Sequence, residues 1–124
     1  IRRSAKAMRG IGCRVPATQP DRRTANHGLL AIKSRNAVVF SPHPRSQKTT
    51  YKVVQGRRDV LKRHGAPEDL LICAENPTMT MSAEIMAQSD LVIATGGAGM
   101  VKAAYSSGKP AYGVGVGNAV VVID

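Results

Sequence analysis

The chain has 124 residues, which is enough for one small domain with a modest core but short of what a two-domain enzyme needs. No apolar run approaches the roughly 18 residues of a membrane span, and residues 1–10 lack the apolar centre of a secretory signal, so we expect a cytoplasmic protein. The formal net charge is +10, and Cys13 and Cys73 have neither metal-ligand spacing nor a disulfide framework around them, so no metal site is expected.

The positive charge is concentrated in the first half of the chain. Residues 1–64 hold 16 Lys and Arg against two acidic residues, whereas residues 65–124 hold two Lys against six acidic residues. Such a half could bind nucleic acid nonspecifically through its phosphates. However, none of the few aromatic residues alternates with the arginines, as a base-stacking surface would require. A small basic module that binds nucleic acid or another polyanion is therefore only the alternative function.

Residues 1–24 form a basic segment that fits poorly to a buried element. The apolar residues around Cys13 suit a strand, but burying unpaired guanidinium groups is costly. Two explanations are open. The segment is exposed because a covering domain is missing, or its amino-acid sequence results from a shifted reading frame. Neighbouring arginines would also lower the pKa of the Cys13 thiol. The arginines of this segment are Arg2, Arg3, Arg9, Arg14, Arg22 and Arg23.

Two helices and a buried strand are predicted next. Residues 24–34 suit a short amphipathic helix whose apolar side holds Ala25, Leu29, Leu30 and Ile32. Residues 36–41 read as a strand, which Pro42 and Pro44 end. A second helix over residues 47–64 ends at Gly65, and its core side is expected to hold Val53, Val54, Val60 and Leu61.

The remaining pattern continues the alternation of strands and helices. Residues 70–74 form a short apolar strand, and residues 80–88 a helix whose inward residues are Met81, Ile85 and Met86. An apolar run starts at Leu91, and a helix over residues 100–107 ends at Gly108. This order predicts an α/β fold, a parallel sheet wound by helices on both faces. Ligands of such sheets bind at the carboxyl ends of the strands, which gathers the loops at residues 16–20, 41–44, 76–78 and 95–99 on one edge.

The turn at residues 95–99 is the strongest candidate for a binding site. A glycine-rich turn that opens a helix presents unpaired N–H groups and the positive end of the helix dipole, and it suits a phosphate. Yet Lys102 stands where the dinucleotide fingerprint would place its last glycine, so spacing alone supports a ligand-free turn equally well. The candidate contacts are Thr95, Gly96, Gly97 and Gly99.

Four motifs carry a resemblance to a known family. They are PATQP at residues 16–20, where the family more usually has P-x-T-N-P, RNAVVFSPHPRS at residues 35–46, GAPEDLLICAENPT at residues 65–78 and ATGGAGMVKAAYSSGKPAYGVGVGN at residues 94–118. In this order they resemble the coenzyme-A-acylating aldehyde dehydrogenases, which act on aldehydes such as acetaldehyde, succinate semialdehyde and sulfoacetaldehyde. The resemblance implies only the N-terminal, cofactor-binding part of such an enzyme.

The resemblance implies a Rossmann-like fragment of the aldehyde dehydrogenase fold. Residues 25–124 would be a partial NAD(P)-binding domain, with the catalytic domain absent. The intact enzyme would oxidise a small aldehyde to an acyl-CoA with NAD or NADP and coenzyme A, and it would form a homo-oligomer. The chain by itself is expected to be inactive.

The resemblance also implies roles for individual residues. Ser41, Pro42 and His43 correspond to the loop beside the adenosine half of the cofactor. Gln19 matches an asparagine that holds the oxyanion, although its side chain is longer. The family's catalytic cysteine lies beyond the last glycine-rich turn, so no catalytic residue is expected in this chain.

Overall fold

The computed structural model describes residues 9–115 and 117, and it shows one sheet of five parallel strands in the order β3-β2-β1-β4-β5. The strands are β1 Gly10–Val15, β2 Ala37–Pro42, β3 Leu71–Cys73, β4 Leu91–Thr95 and β5 Ala111–Val114. The helices are α1 Pro20–Lys33, α2 Gln47–Arg63, α3 Met79–Gln88 and α4 Ala98–Tyr105. Short 3-10 turns at Pro44–Ser46 and Glu68–Leu70 precede α2 and β3. The predicted parallel α/β sheet is confirmed.

Strand β1 lies at the centre of the sheet, and its side chains alternate between the two faces. Cys13 pairs with Phe40 of β2 and Ile93 of β4, whereas Arg14 pairs with Ser41 and Ala94. Because partners in register point to the same side, these pairs define two faces, which we call the Cys13 face and the Arg14 face.

Helices cover both faces, as predicted. The first core cluster lies between the Cys13 face and helices α1 and α2, and it contains Ile11, Cys13, Val15, Ala31, Val38, Phe40, Val54 and Leu71. A smaller cluster on the Arg14 face contains Met86 of α3, Ala104 of α4, and Val92 and Ala94 of β4. The sheet therefore has one extensive core and one small one.

The predicted burial of α1 is wrong for Leu29 and Leu30, although Ile32 packs against the main core as expected. The helix starts at Pro20 rather than near Thr24, and Leu29 and Leu30 are 58% and 55% exposed. The buried residues are Thr24, Gly28 and Ala31. A Cβ at Gly28 would lie 3.4 Å from Leu71 Cδ2, at van der Waals contact, so this position of the helix faces the core directly.

Predictions for the next two helices are partly right. In α2 Val54 is buried as expected, but Val60 is 41% exposed and Thr50 takes an interior position. In α3 Met86 is buried, whereas Met81 is 46% exposed. The Oγ1 atom of Thr50 is buried without a hydrogen-bond partner among the described residues.

The glycines that were predicted to end α2 and α4 have the conformation that this role requires. Gly65 follows α2 with φ of 70°, and Gly108 follows α4 with φ of 74°. Both values lie in the left-handed region, where side chains other than glycine are disfavoured. These two stops were therefore correctly located from the sequence.

The basic segment at residues 1–24 contributes to the sheet rather than lying outside it. Gly10–Val15 is the central strand, and Arg14 is only 6% exposed, so the expectation of an exposed segment is wrong for these residues. Arg2 and Arg3 lie outside the described residues. The division at residue 24 into two segments stays a prediction. Among the helices that the structure describes, none is long and apolar enough to cross a membrane.

Candidate functional site

A cavity of about 390 Å³ opens at the carboxyl ends of β1 and β4. These strands are neighbours in the sheet but distant in the sequence, and the order of connections reverses between them. Such a switch point is where open α/β sheets bind ligands. The lining residues are Arg14, Val15, Pro16, Ala17, Thr18, Arg23, His43, Thr95, Gly96, Gly97, Met100 and Gly115.

The glycine-rich turn forms one wall of the cavity. Gly97 caps α4 with φ of −68° and ψ of 164°, and Met100 N donates to its carbonyl oxygen at 3.0 Å. The first N–H groups of a helix lack partners within it, so this end of α4 offers donors and a positive dipole. A Cβ at Gly97 would meet no protein atom within 4 Å, so the glycine keeps the turn open without being required by its backbone angles.

The charged groups of the lining are all basic. Arg14 and Arg23 line the cavity together with His43, and no Asp or Glu is among its described lining residues. The Nε atom of Arg23 is buried without a hydrogen-bond partner among the described residues. The electrostatics of the cavity therefore favour an anionic ligand.

Arg14 lines this cavity and is only 6% exposed. Its Nη1 donates to Ser41 Oγ at 3.4 Å, and its Nη2 approaches Met79 Sδ at 4.0 Å. Burial lowers the pKa of the guanidinium, which nevertheless keeps its charge at neutral pH. The prediction treated Arg14 only as a misfit, although an arginine at the end of an apolar strand and just before a ligand-side loop was a usable signal.

The structure brings together four of the predicted cofactor contacts: His43, Thr95, Gly96 and Gly97 line the same cavity. Ser41 and Pro42 are buried at the end of β2 and do not line it. Gly99 lies in the first turn of α4, also outside the lining. The roles of these residues as cofactor contacts stay predictions.

Gln19 lies in a different recess. It precedes α1 with φ of 51° and ψ of 49°, is exposed, and makes no side-chain cap. The recess that it lines also includes Arg22, Asn26 and His27, and Gln19 is not among the lining residues of the cavity at β1 and β4. Its predicted role at an oxyanion stays untested by this geometry.

Cys13 is sealed in the core of the Cys13 face. It is 1% exposed, and its Sγ lies 3.1 Å from His27 Nδ1 of α1. Burial raises the pKa of the Cys13 thiol to about 12, so the expectation that nearby arginines would lower it is wrong. Burial, with a smaller effect of Glu75, also raises the pKa of Cys73 to about 11. Neither thiol has the thiolate character of a nucleophile.

Comparisons with known proteins identify homologues of the chain. The chain is 45% identical over 123 residues to a sulfoacetaldehyde dehydrogenase of an Acholeplasma species, covering 99% of this chain and 25% of that protein. It is 48% identical over 118 residues to the bifunctional aldehyde-alcohol dehydrogenase of Escherichia coli K12, covering 93% of this chain and 13% of that protein. No protein-family model matches the sequence.

Solved structures show the same relationship. The crystal structure of an acetylating aldehyde dehydrogenase from Geobacillus thermoglucosidasius superimposes with a TM-score of 0.89 at 44% identity, covering 91% of this chain and 25% of that one. The homologues of this chain are acylating aldehyde dehydrogenases. The chain spans about a quarter of the length of the sulfoacetaldehyde and acetylating enzymes.

Two further similar structures contain bound ligands. An engineered glycolyl-CoA reductase with bound NADP+ has a TM-score of 0.88 at 34% identity, covering 91% of this chain and 26% of that one. A Rhodopseudomonas palustris propionaldehyde dehydrogenase with bound propionyl-CoA has a TM-score of 0.88 at 35% identity, covering 91% and 25% of the two chains. These homologues do not support the alternative of a nucleic-acid-binding module.

Proposed function

We propose that this chain is the nucleotide-binding part of an acylating aldehyde dehydrogenase and that NAD or NADP binds in the cavity between β1 and β4. One observation carries the proposal. The cavity lies at the switch point of the sheet, and the N-terminus of α4 and the loop after β2 both border it. A dinucleotide needs an anion site for its phosphates and a neighbouring loop for its adenosine, and this edge offers both.

The chain's own residues would bind and orient the cofactor. The turn at Gly96 and Gly97 would approach the phosphates, and His43 would lie beside the adenosine half. The cofactor supplies hydride acceptance when it is bound. Thr95, which is buried at the end of β4, would help to keep the turn in place.

The activity of the whole protein is part of the same proposal. The intact protein, of which this chain would form about a quarter, would be a cytoplasmic homo-oligomer. It would oxidise a small aldehyde with NAD or NADP and transfer the acyl group to coenzyme A. The reaction requires an activated thiolate near the nicotinamide. Because Cys13 and Cys73 have raised pKa values, residues 1–124 alone should reduce no NAD or NADP when supplied with an aldehyde and coenzyme A.

Cofactor binding is tested by calorimetric titration of the 124-residue chain with NAD and with NADP. Gly97→Val should weaken binding at least about tenfold, equivalent to about 1.4 kcal/mol, because the new side chain enters the space reserved for the phosphates. The backbone angles of Gly97 suit valine, and no protein atom lies near the added Cβ, so folding should be unaffected.

Gly56→Val is the matched control. Gly56 lies in α2 away from the cavity, and a Cβ there would also meet no atom within 4 Å. This variant should bind both dinucleotides like the parent. Equal dissociation constants for the parent and Gly97→Val, or no binding by the folded parent, would refute the proposed function.

A further inference from the structure

We propose that Arg14 is a phosphate-binding residue of this cavity and that its guanidinium takes the pyrophosphate group of the dinucleotide. The proposal rests on the proposed function and deepens it by assigning a residue that the family resemblance does not include. Arg14 is 6% exposed and is itself part of the cavity lining. The occupant that it implies is an anion.

The first argument concerns charge. Among the described residues, ion pairs within 4.0 Å join only Arg58 to Glu68 and Asp69, so Arg14 has no carboxylate partner in the part of the chain that the structure describes. A buried charge is costly unless a counter-charge or several hydrogen bonds compensate it. The two contacts of Arg14, a hydroxyl at 3.4 Å and a thioether at 4.0 Å, compensate it weakly.

The second argument concerns orientation. Ser82 Oγ donates to the carbonyl oxygen of Thr78 at 2.8 Å, so its contact with Ser41 at 2.9 Å is one in which Ser41 donates. The lone pairs of Ser41 Oγ are then free to accept from Arg14 Nη1. This chain of hydrogen bonds fixes one edge of the guanidinium, and beyond the weak contact of Nη2 with Met79 Sδ its other N–H groups have no hydrogen-bond partner among the described residues.

The third argument concerns the neighbouring donors. Arg14 is in register with Ala94, one residue before the turn at Thr95 and Gly96 that opens α4. The turn and Arg14 therefore border the same cavity from adjacent strands. A planar guanidinium and a helix N-terminus together suit a group with two charged phosphates, and a pyrophosphate is the part that NAD and NADP share.

The test is calorimetric titration of the full chain with NAD, NADP and inorganic pyrophosphate. Arg14→Met should weaken all three at least tenfold and by similar factors. Arg63→Met is the matched control, because it removes one positive charge from an exposed site at the far end of α2. It should leave all three affinities unchanged. Pyrophosphate should also raise the melting temperature of the parent but not that of Arg14→Met.

Arg14→Gln is the second variant, because it removes the charge but keeps a polar side chain if the methionine variant fails to fold. Parent-like binding of NAD and NADP by either neutral variant overturns the proposal and leaves the proposed function standing. A loss of affinity for NADP alone overturns the proposal as well. Arg14 would then bind the additional phosphate of NADP rather than the pyrophosphate that NAD and NADP share. Binding of pyrophosphate that depends on Arg14, without binding of either dinucleotide, supports the anion site while refuting the proposed cofactor.

Discussion

Cys13 and Arg14 are adjacent in β1, but their side chains lie in opposite surroundings. Cys13 is closed in by α1 and the main core, whereas Arg14 lines an open cavity. Both are almost fully buried, at 1% and 6% exposure. A closed core suppresses ionisation of the thiol, while the cavity leaves a charged group accessible to a ligand. Burial alone therefore does not distinguish a structural residue from a binding residue.

The largest expected effect lies on the Cys13 face. Phe40 is 0% exposed and packs in the same cluster as Cys13. Phe40→Ala should lower the free energy of unfolding by about 3–5 kcal/mol, because it removes a large buried side chain and leaves a cavity. Urea denaturation followed by circular dichroism measures this change. A loss below about 1 kcal/mol would show that this face is not the main core.

The ionisation of the Cys13 thiol should make the stability of the folded chain depend on pH in the alkaline range. The pKa of the thiol is about 12 in the folded chain against an ordinary value of 9.0, so the unfolded state releases its proton first. This contribution to stability is complete below pH 9.0 and is lost as the pH rises towards about 12. The slope in that interval is at most about 1.4 kcal/mol per pH unit.

Cys13→Ala supplies the reference for this effect. The stability of the parent should fall more steeply than that of Cys13→Ala in urea denaturation series between pH 9 and pH 11. The folded parent should also react slowly with iodoacetamide at Cys13 and rapidly once it is unfolded. Parallel pH profiles of the two proteins, or rapid labelling of native Cys13, would contradict a sealed thiol.

His27 should produce a smaller effect of the opposite sign. Burial, followed by the charge of Arg23, lowers the pKa of His27 below its ordinary 6.5 in the folded state. The contribution of His27 to stability is therefore present above pH 6.5 and is lost as the pH falls through the lowered pKa. The parent should lose more stability than His27→Gln between pH 7 and pH 5, and identical losses would indicate an unperturbed imidazole.

The smallest expected effect concerns Ser41, which holds Arg14 rather than lining the cavity. Ser41→Ala should weaken binding of NAD or NADP about fivefold, since one hydrogen bond contributes about 1 kcal/mol. In the Arg14→Met background the same substitution should have no further effect on affinity. Additive losses in this double-mutant cycle would show that Ser41 acts independently of Arg14.

Much of the fold was predictable because local patterns determine it. Apolar runs located β2, β3 and β4, and the helix stops at Gly65 and Gly108 followed from the preference of glycine for positive φ. The glycine-rich turn after β4 was also located correctly. In each case the determining interactions lie within a few residues of one another.

The buried side of α1 and the role of Arg14 depended on tertiary structure. Gly28 rather than Leu29 faces the core, at van der Waals distance from Leu71 and Phe40, which lie far away in the sequence. Arg14 contacts Ser41 and Met79 and shares a cavity with the turn at Gly97. The sequence by itself shows that Arg14 interrupts an apolar strand. That the Arg14 side chain lines a cavity depends on the tertiary structure, because the cavity forms only where segments from four parts of the chain meet.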